Sequence, residues 1–336
     1  MERIKHSIPD VDILKRRFAA VLEGSFGDFI SSTHVRREAV IGSRRYALVA
    51  GVFAIAVLVL LSFIRTTHSE LVWNAFAICG IFWLLIVLVS ARQWFTNSTL
   101  LAKEINMALM PIVSTTLNRT VMYTFDNQHR EETLQLLQES ELMTIAGITV
   151  ISDDKLTAFG ETELTLRELL ITKSQATDSG NDTSIELFKG VFVVAVLPFT
   201  HVAETYISTK NDKAGFAHQN FWSNLLGQQT VKEISLEWND FESVLHVASS
   251  DPVAAREVLT PEFMQDLYYW WQEHKRNIRI AFKGNKFFML LPESTIKIGR
   301  GTSSTKPQAI REYASSIILP LWRSLLLLED VVNRRI

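Results

Sequence analysis

The sequence contains a single cysteine, and its positive and negative charges nearly cancel. One cysteine, Cys79, can form neither a disulfide within the chain nor a cysteine-based zinc site. The 34 basic and 36 acidic side chains leave a formal net charge of −2, whereas proteins that bind nucleic acids usually carry a clear basic surplus. We therefore expect no disulfide framework, no cysteine–zinc centre and no nucleic-acid partner.

The short motifs that identify common catalytic sites are also missing. The eight histidines are scattered, without an HExxH pair or another spacing typical of metal ligands, and no serine lies in a G-x-S-x-G elbow. These patterns predict no catalytic residue, no metal ligand and no cofactor. A site assembled from residues distant in sequence stays open.

Long hydrophobic runs, by contrast, are present twice near the start of the chain. Residues 46–64 contain no charge, and residues 71–90 contain only Asn74 as a strong polar interruption. A helix rises about 1.5 Å per residue, so each run would cross a hydrocarbon core of about 30 Å. Buried core helices of this length normally show a polar stripe. The sequence therefore predicts two transmembrane helices, joined as a hairpin over residues 46–94.

Basic residues predict the orientation of this hairpin. Arg92 and Lys103 follow the second run, whereas the intervening loop contains only Arg65. Short segments rich in Lys and Arg tend to stay in the cytoplasm, so we expect both termini there. The basic residues that precede the first run are Arg36, Arg37, Arg44 and Arg45.

Two segments flank the hairpin. Residues 1–45 form a basic lead-in with an amphipathic helix that begins near Pro9 and Asp10, which either packs on protein or lies on an anionic leaflet. Residues 95–144 form a helical connector, in which Pro111 bends or ends the first helix.

After residue 144 the pattern changes to short runs rich in β-branched and aromatic residues. The region 145–336 is therefore predicted to be an α+β cytoplasmic domain with a mainly antiparallel sheet. Its C-terminal helix covers 306–333, and a hairpin over 278–292 turns at Gly284 and Asn285. The other strands are expected near 145–151, 156–174, 190–199, 202–208, 229–237 and 242–248.

The segment 249–267, "SSDPVAAREVLTPEFMQDL", contains two well-formed helix starts. Asp251 before Pro252 and Thr260 before Pro261 are N-cap residues followed by a proline at the first helical position. Arg256 lies between them, where a guanidinium either stabilises the local structure or contacts an anion or a partner.

Two further surfaces are candidates for contact. The stretch "KIGRGTSSTK" supplies Lys297, Arg300 and Lys306 to a polar loop that could touch an anion or lipid headgroups. The helix after Thr260 is rich in aromatic residues and either packs in the core or docks a partner. The residues of this possible docking face are Phe263, Leu267, Trp270 and Trp271.

The motif around Arg256 resembles the signature of a bacterial inner-membrane family, domain of unknown function 3137. The matching positions are Asp251, Ala255, Arg256, Leu259, Thr260, Pro261 and Met264. The resemblance extends over roughly residues 40–330, because "FGETELTLRELLITKSQ", "LFKGVFVVAV" and the paired apolar runs also look like the family. The chain departs from the family at Val196–Phe199, where relatives tend to carry a charged Asp-Phe-Asn-Lys-like exit. The resemblance implies an inner-membrane location, often beside LemA-type membrane genes, and no assigned activity.

Three function classes remain at this stage. We expect first a membrane-anchored, non-enzymatic interaction or scaffold protein, with membrane lipids and a protein partner or further copies of itself as partners. The alternatives are a membrane-tethered hydrolase or nucleotide-dependent enzyme, and a sensor of anionic lipid.

Overall fold

A computed structural model describes most of the chain. The described residues are 11–64, 70–125, 130–144, 146–152, 154–160, 162–176, 182–210, 221–227, 230–275, 277–292 and 306–332. The helices are α1 Val11–Glu23, α2 Ser25–Ser32, α3 His34–Ile64, α4 Glu70–Leu117, α5 Arg130–Ser140, α6 Phe221–Gly227, α7 Asn239–Val244, α8 Pro252–Val258, α9 Pro261–His274 and α10 Pro307–Val332. The strands are β1 Thr120–Phe125, β2 Ile148–Ile151, β3 Asp154–Phe159, β4 Glu163–Ala176, β5 Asp182–Thr209, β6 Lys232–Glu233, β7 Leu245–Ser249 and β8 Arg279–Pro292.

The chain divides into two units. One contains residues 1–17, 110–299 and 314–336 and carries the sheet; the other contains residues 18–109 and 300–313 and is helical. Within the helical unit Arg36 pairs with Glu104 at 2.7 Å, and the hydroxyl of Tyr313 donates to Asn106 at 2.8 Å.

An antiparallel sheet is the framework of the larger unit, so the predicted α+β class is confirmed. The strands run in the order β1-β3-β4-β5-β7-β6, with β2 paired to β4 and β8 paired to β5. Strand β5 is the centre of this arrangement, because β4, β7 and β8 all pair with it.

Helices pack on both faces of the sheet. On one face, Leu137 of α5 joins a buried cluster with Phe192, Tyr206 and Phe288. On the other face, Phe263 of α9 meets Phe282 of β8 edge to face, with ring centroids 5.8 Å apart. Because neighbouring strand residues point to opposite faces, this arrangement buries both sides of β5 and β8 over much of their length.

The segment 278–292 was predicted to be a hairpin, and this prediction is wrong. Strand β8 continues through Gly284 and pairs with β5 on both sides of it. A tight two-residue turn requires a positive φ at both central residues. Gly284 has a φ of 56°, but Asn285 does not have a positive φ. The glycine marks an irregularity within one long strand.

The two strands predicted at 190–199 and 202–208 are parts of one strand, β5. Its pairing with β8 shifts register between Val196 and His201 and again between His201 and Thr205. Pro198, which has no backbone N–H to donate, lies at this irregular stretch. The bulges accommodate the proline without ending the strand.

Other boundaries differ from the predictions as well. The connector predicted to be helical over 95–144 includes strand β1, whose six residues are rich in Thr, Val and aromatic side chains. Helix α4 continues past Pro111 to Leu117. The strand expected at 229–237 contains only the two residues of β6, and the one expected at 242–248 begins as helix α7 before becoming β7.

Two helices of the described residues are long and apolar enough to cross a membrane, judged by length and composition. The qualifying stretches are His34–Val59 of α3 and Ile78–Leu117 of α4.

Candidate functional site

Asp251 caps helix α8 within the 249–264 motif. Its carboxylate accepts hydrogen bonds from the backbone N–H groups of Val253 at 2.8 Å and Ala254 at 3.3 Å. Asp251 has extended backbone angles, and Pro252 occupies the first helical position, where a missing N–H costs nothing. The motif therefore fixes the start of α8 through local geometry.

Thr260 caps α9 in the same way. Its hydroxyl accepts from the backbone N–H of Phe263 at 3.2 Å, and Pro261 follows as the first helical residue. This cap fixes where α9 begins and hence which of its side chains meet the sheet.

Arg256 lies in the last turn of α8 with its side chain exposed. It makes no hydrogen bond or ion pair with the residues that the structure describes. It lines neither of two cavities, of about 600 and 730 Å³, in that part of the chain. Of the basic loop residues, Lys306 is exposed, whereas Lys297 and Arg300 lie outside the described residues.

A chain of buried polar groups lies beneath the motif. The Nε2 atom of His201 is 3.0 Å from the hydroxyl of Thr205, which is 3.0 Å from the hydroxyl of Ser249. Ser249 in turn donates to the backbone carbonyl of Asp251 at 3.1 Å. All three side chains are almost fully buried. They connect β5 to the start of α8 and are sealed from substrate, which favours a structural role.

A second polar cluster joins the turn after α5 to the sheet. The Tyr206 hydroxyl donates to Glu141 at 2.7 Å, and Lys283 contacts Glu141 at 2.8 Å and Glu204 at 3.2 Å. Glu141 has a φ of 54°, an uncommon conformation for a residue other than glycine. The cluster holds the end of α5 against β5 and β8.

Electrostatics fixes the protonation states in this cluster. Burial, followed by the hydrogen bond to Glu141 and the charges of both carboxylates, raises the pKa of Tyr206 well above its usual value. Burial alone would raise the pKa of Glu141, but its hydrogen bonds with Lys283 and Tyr206 outweigh that effect and lower it. Tyr206 therefore stays a neutral donor and Glu141 an anionic acceptor at neutral pH. These protonation states are those of a structural hydrogen bond, whereas a tyrosine nucleophile would need a lowered pKa.

The possible docking face on α9 requires a correction. Phe263 and Leu267 are both fully buried, because this stripe of the helix faces the sheet. Trp270 and Trp271 are half-buried. Half of the predicted docking face is therefore core.

The neighbouring part of α9, together with Trp238 at the start of α7, forms an aromatic surface, which we define as Trp238, Tyr268, Tyr269 and Trp271. The Trp238 ring lies 5.3 Å from that of Tyr268, which lies 6.5 Å from that of Trp271. Tyr268 also contacts Tyr269, which is 54% exposed. The other three are half-buried. The rings are therefore held in place, and each keeps some surface in contact with solvent.

A buried neighbour supports one ring of this surface. Trp238 stacks on Phe241, which is fully buried at the start of α7, with centroids 5.8 Å apart. Trp238 itself occupies the N-cap position of α7. Sequence analysis missed Trp238, because it belongs to a different helix start and is 30 residues from Tyr268 in the chain.

Lys275 closes one end of the aromatic surface. It is the C-cap of α9, in the left-handed conformation with φ 48°, and its N–H donates to the carbonyl of Trp271 at 2.7 Å. Its ammonium lies 4.1 Å from the centroid of the Trp271 ring. This distance is typical of a cation–π interaction.

The described residues include no group of three or more His, Cys, Asp or Glu side chains arranged to hold a metal ion.

Comparison with known proteins gives a family match over part of the chain. Residues 186–320 match the model of the family described as "Protein of unknown function (DUF3137)". The resemblance is thereby confirmed over this segment, which includes the 249–264 motif and the aromatic surface. The apolar helices and residues 159–175 lie outside the matched range.

The chain was also compared with curated proteins and with solved structures. No curated protein matches the sequence significantly. Among solved structures, the crystal structure of the mycobacterial trehalose monomycolate transport factor A, TtfA, matches with 8% identity and a TM-score of 0.33. That match covers 68% of this chain and 96% of the other. A similarity this low supports no argument about fold or function.

Proposed function

We propose that this chain, which carries a domain of unknown function 3137 over residues 186–320, is a membrane-anchored adaptor without catalytic activity. In this proposal α3 and α4 cross the inner membrane as a hairpin, both termini lie in the cytoplasm, and the sheet domain binds a protein partner there.

The main support for a membrane anchor is the exposure of apolar side chains on α3 and α4. Among the side chains that the structure describes between residues 48 and 89, fourteen large apolar ones are at least half exposed in the chain itself. Burying each in lipid would gain roughly 1.5–3 kcal/mol, so leaving all of them in water would cost tens of kcal/mol. The residues are Leu48, Val49, Val52, Phe53, Ile55, Leu58 and Val59 of α3, and Ile78, Ile81, Phe82, Leu84, Leu85, Leu88 and Val89 of α4.

Two further observations favour a hairpin with this orientation. The ring of Phe53 lies 4.5 Å from that of Trp83, so the two helices touch within their apolar parts. The basic residues that precede α3's apolar part and follow α4's apolar part outnumber the single Arg65 of the connecting loop.

The aromatic surface supports the adaptor role. Trp and Tyr are the residues most enriched where binding energy concentrates in protein interfaces. Trp238 stacks on the buried Phe241, and Tyr268 contacts the rings of Trp238 and Trp271, so these side chains lose little conformational freedom on binding. Among the described residues no observation favours the hydrolase, because the His201 chain is buried and the carboxylates of the Tyr206 cluster are paired with Lys283.

Photocrosslinking in cells tests the adaptor role. A photoreactive phenylalanine analogue replaces Tyr269 in the full-length protein, and a matched control places it at Thr200, which is exposed on β5. We expect a discrete crosslinked adduct from position 269 and none of the same size from position 200. Equal adducts at both positions, or none at 269, would contradict the adaptor role.

A further inference from the structure

The segment that builds the aromatic surface is strongly acidic. Residues 230–275 contain nine Asp and Glu side chains but three Lys and Arg side chains, a net charge of −6, although the whole chain carries only −2. Such a local imbalance creates a potential that attracts cations and repels anions.

Several of these carboxylates are available to a partner. Glu237 precedes Trp238, Asp240 lies in the first turn of α7, and Asp266 precedes Tyr268 by two residues. Glu237 and Asp240 are exposed and Asp266 is half-buried. None of the three carboxylates forms an ion pair or a hydrogen bond with the described residues.

Lys275 already demonstrates the kind of group that this surface accepts. Its ammonium lies over the Trp271 ring at 4.1 Å, and its backbone adopts a left-handed conformation at the end of α9. An aromatic face binds a cation through its quadrupole, and exposed carboxylates nearby add to the attraction. Lys275 is thus an intramolecular occupant of one ring of the aromatic surface.

We infer that the aromatic surface binds a Lys- or Arg-rich segment of a partner protein. The inference rests on the proposed adaptor function and specifies the chemistry of its partner. Cationic side chains stack on Trp238, Tyr268 and Trp271, while Glu237, Asp240 and Asp266 pair with neighbouring cations. The net charge of −6 disfavours the alternative occupant, an anionic lipid surface, because like charges repel.

Peptide binding tests this chemistry. The purified full-length protein in neutral detergent is titrated into a dye-labelled peptide of alternating arginine and serine, with fluorescence anisotropy as the measurement. A peptide with glutamate in place of arginine is the control. We expect saturable binding of the cationic peptide only, which weakens as salt is raised because the contacts are exposed. Equal binding of both peptides, or of neither, would overturn the inference.

Substitutions at the surface test where the peptide binds. The triple change Glu237→Gln, Asp240→Asn and Asp266→Asn should weaken binding about tenfold, since each exposed ion pair contributes about 0.2–1 kcal/mol. The matched control, Glu131→Gln, Glu163→Gln and Glu186→Gln, removes three exposed carboxylates elsewhere and should leave affinity unchanged. An equal effect of this control would show attraction by net charge alone and contradict a defined surface.

A substitution at Lys275 is expected to strengthen peptide binding instead of weakening it. Lys275→Asn removes the competing ammonium while keeping a residue that tolerates the left-handed conformation. We expect it to tighten peptide binding about two- to fivefold, as a freed cation–π site at an exposed ring contributes about 0.5–1 kcal/mol. Lys275→Arg, which keeps the cation, should bind as the unchanged protein does. Weaker binding by Lys275→Asn would refute the role of Lys275 as an occupant.

Failure of this inference can be distinguished from failure of the adaptor function. If position 269 crosslinks to a partner whose contact segment is neutral or acidic, the cationic inference is wrong and the adaptor function stands. If position 269 crosslinks to anionic lipid and to no protein, the occupant is a lipid surface, and both the inference and the adaptor function are wrong.

Discussion

Asp251 and Thr260 each satisfy backbone N–H groups that the first turn of a helix leaves without partners. Asp251→Ala or Thr260→Ala should therefore lower the free energy of unfolding by about 1 kcal/mol. For a domain of this size, the melting temperature should fall by about 2–4 °C, measured by circular dichroism of the protein in mild detergent.

Conservative changes provide the controls for these caps. Asp251→Asn and Thr260→Ser keep an acceptor at the cap and should melt close to the unchanged protein. Arg256→Ala removes an exposed side chain that has no partner among the described residues, so its effect should stay within about 0.5 kcal/mol. Equal losses for Asp251→Asn and Asp251→Ala would show that Asp251 stabilises the fold by something other than capping.

Tyr206 makes the stability of the sheet unit sensitive to alkaline pH. Because the folded state raises its pKa, the stabilisation is fully present below the pKa of an unfolded tyrosine, about 10, and is lost as the pH rises above it. The loss is at most about 1.4 kcal/mol per pH unit. Melting temperatures between pH 8 and 11 should fall more steeply for the unchanged protein than for Tyr206→Phe.

The Tyr206→Phe comparison isolates this group from the other tyrosines. Tyr206→Phe should also be less stable at neutral pH by about 1 kcal/mol, because the hydrogen bond to Glu141 is lost. Parallel curves for the two proteins above pH 10 would mean that Tyr206 ionises as readily in the folded as in the unfolded chain.

At the residue scale, the features that depend on local geometry could be predicted and the others could not. Asp251-Pro252 and Thr260-Pro261 are visible in the sequence because a cap involves residues two or three positions apart. The sequence does not show which apolar stripe of α9 faces the core, because both stripes have the spacing of a buried helix face. In the structure the stripe containing Phe263 and Leu267 is buried, and Phe263 packs on Phe282 of β8, a contact that is not visible in the local sequence.

At the element scale, Gly284 marks the difference between a hairpin and a single long strand. Its φ of 56° is in the left-handed region, and an added Cβ would meet nothing within 4 Å. Gly284→Ala should therefore destabilise the protein by backbone strain alone, by about 1–2 kcal/mol.

Gly227, the last residue of α6, is the matched control for Gly284. A Cβ there also meets nothing within 4 Å, and its φ is not positive. Gly227→Ala should be neutral or slightly stabilising, since alanine reduces the entropy of the unfolded chain. If Gly284→Ala were as well tolerated as Gly227→Ala in thermal unfolding, the left-handed conformation at 284 would be contradicted.

The errors at this scale have one physical cause. Gly284-Asn285 and Pro198 have the composition of turns, yet both lie in long strands, since β5 and β8 pair with each other on both sides of the irregular residues. Pairing between strands distant in sequence outweighs the local preference. Composition did indicate α10 correctly, because a helix of 26 residues repeats its apolar pattern over many turns.

At the scale of the whole molecule, two parts of the chain differ strongly in polarity. Helices α3 and α4 present bare apolar side chains, whereas residues 230–275 carry a net charge of −6 around half-buried aromatic rings. The first favours lipid and the second favours a cationic protein in water. The proposed function accounts for both, because it assigns the apolar helices to the bilayer and the sheet domain to the aqueous phase.

Cysteine labelling in spheroplasts tests the proposed membrane topology. In a Cys79→Ser background, Thr67→Cys reports on the loop between the apolar runs and Thr200→Cys on the sheet domain. A maleimide that cannot cross membranes should label position 67 in intact spheroplasts, and position 200 only after lysis. Labelling of position 200 before lysis, or release of the protein from membranes by alkaline carbonate in the same preparation, would contradict a membrane hairpin with a cytoplasmic domain.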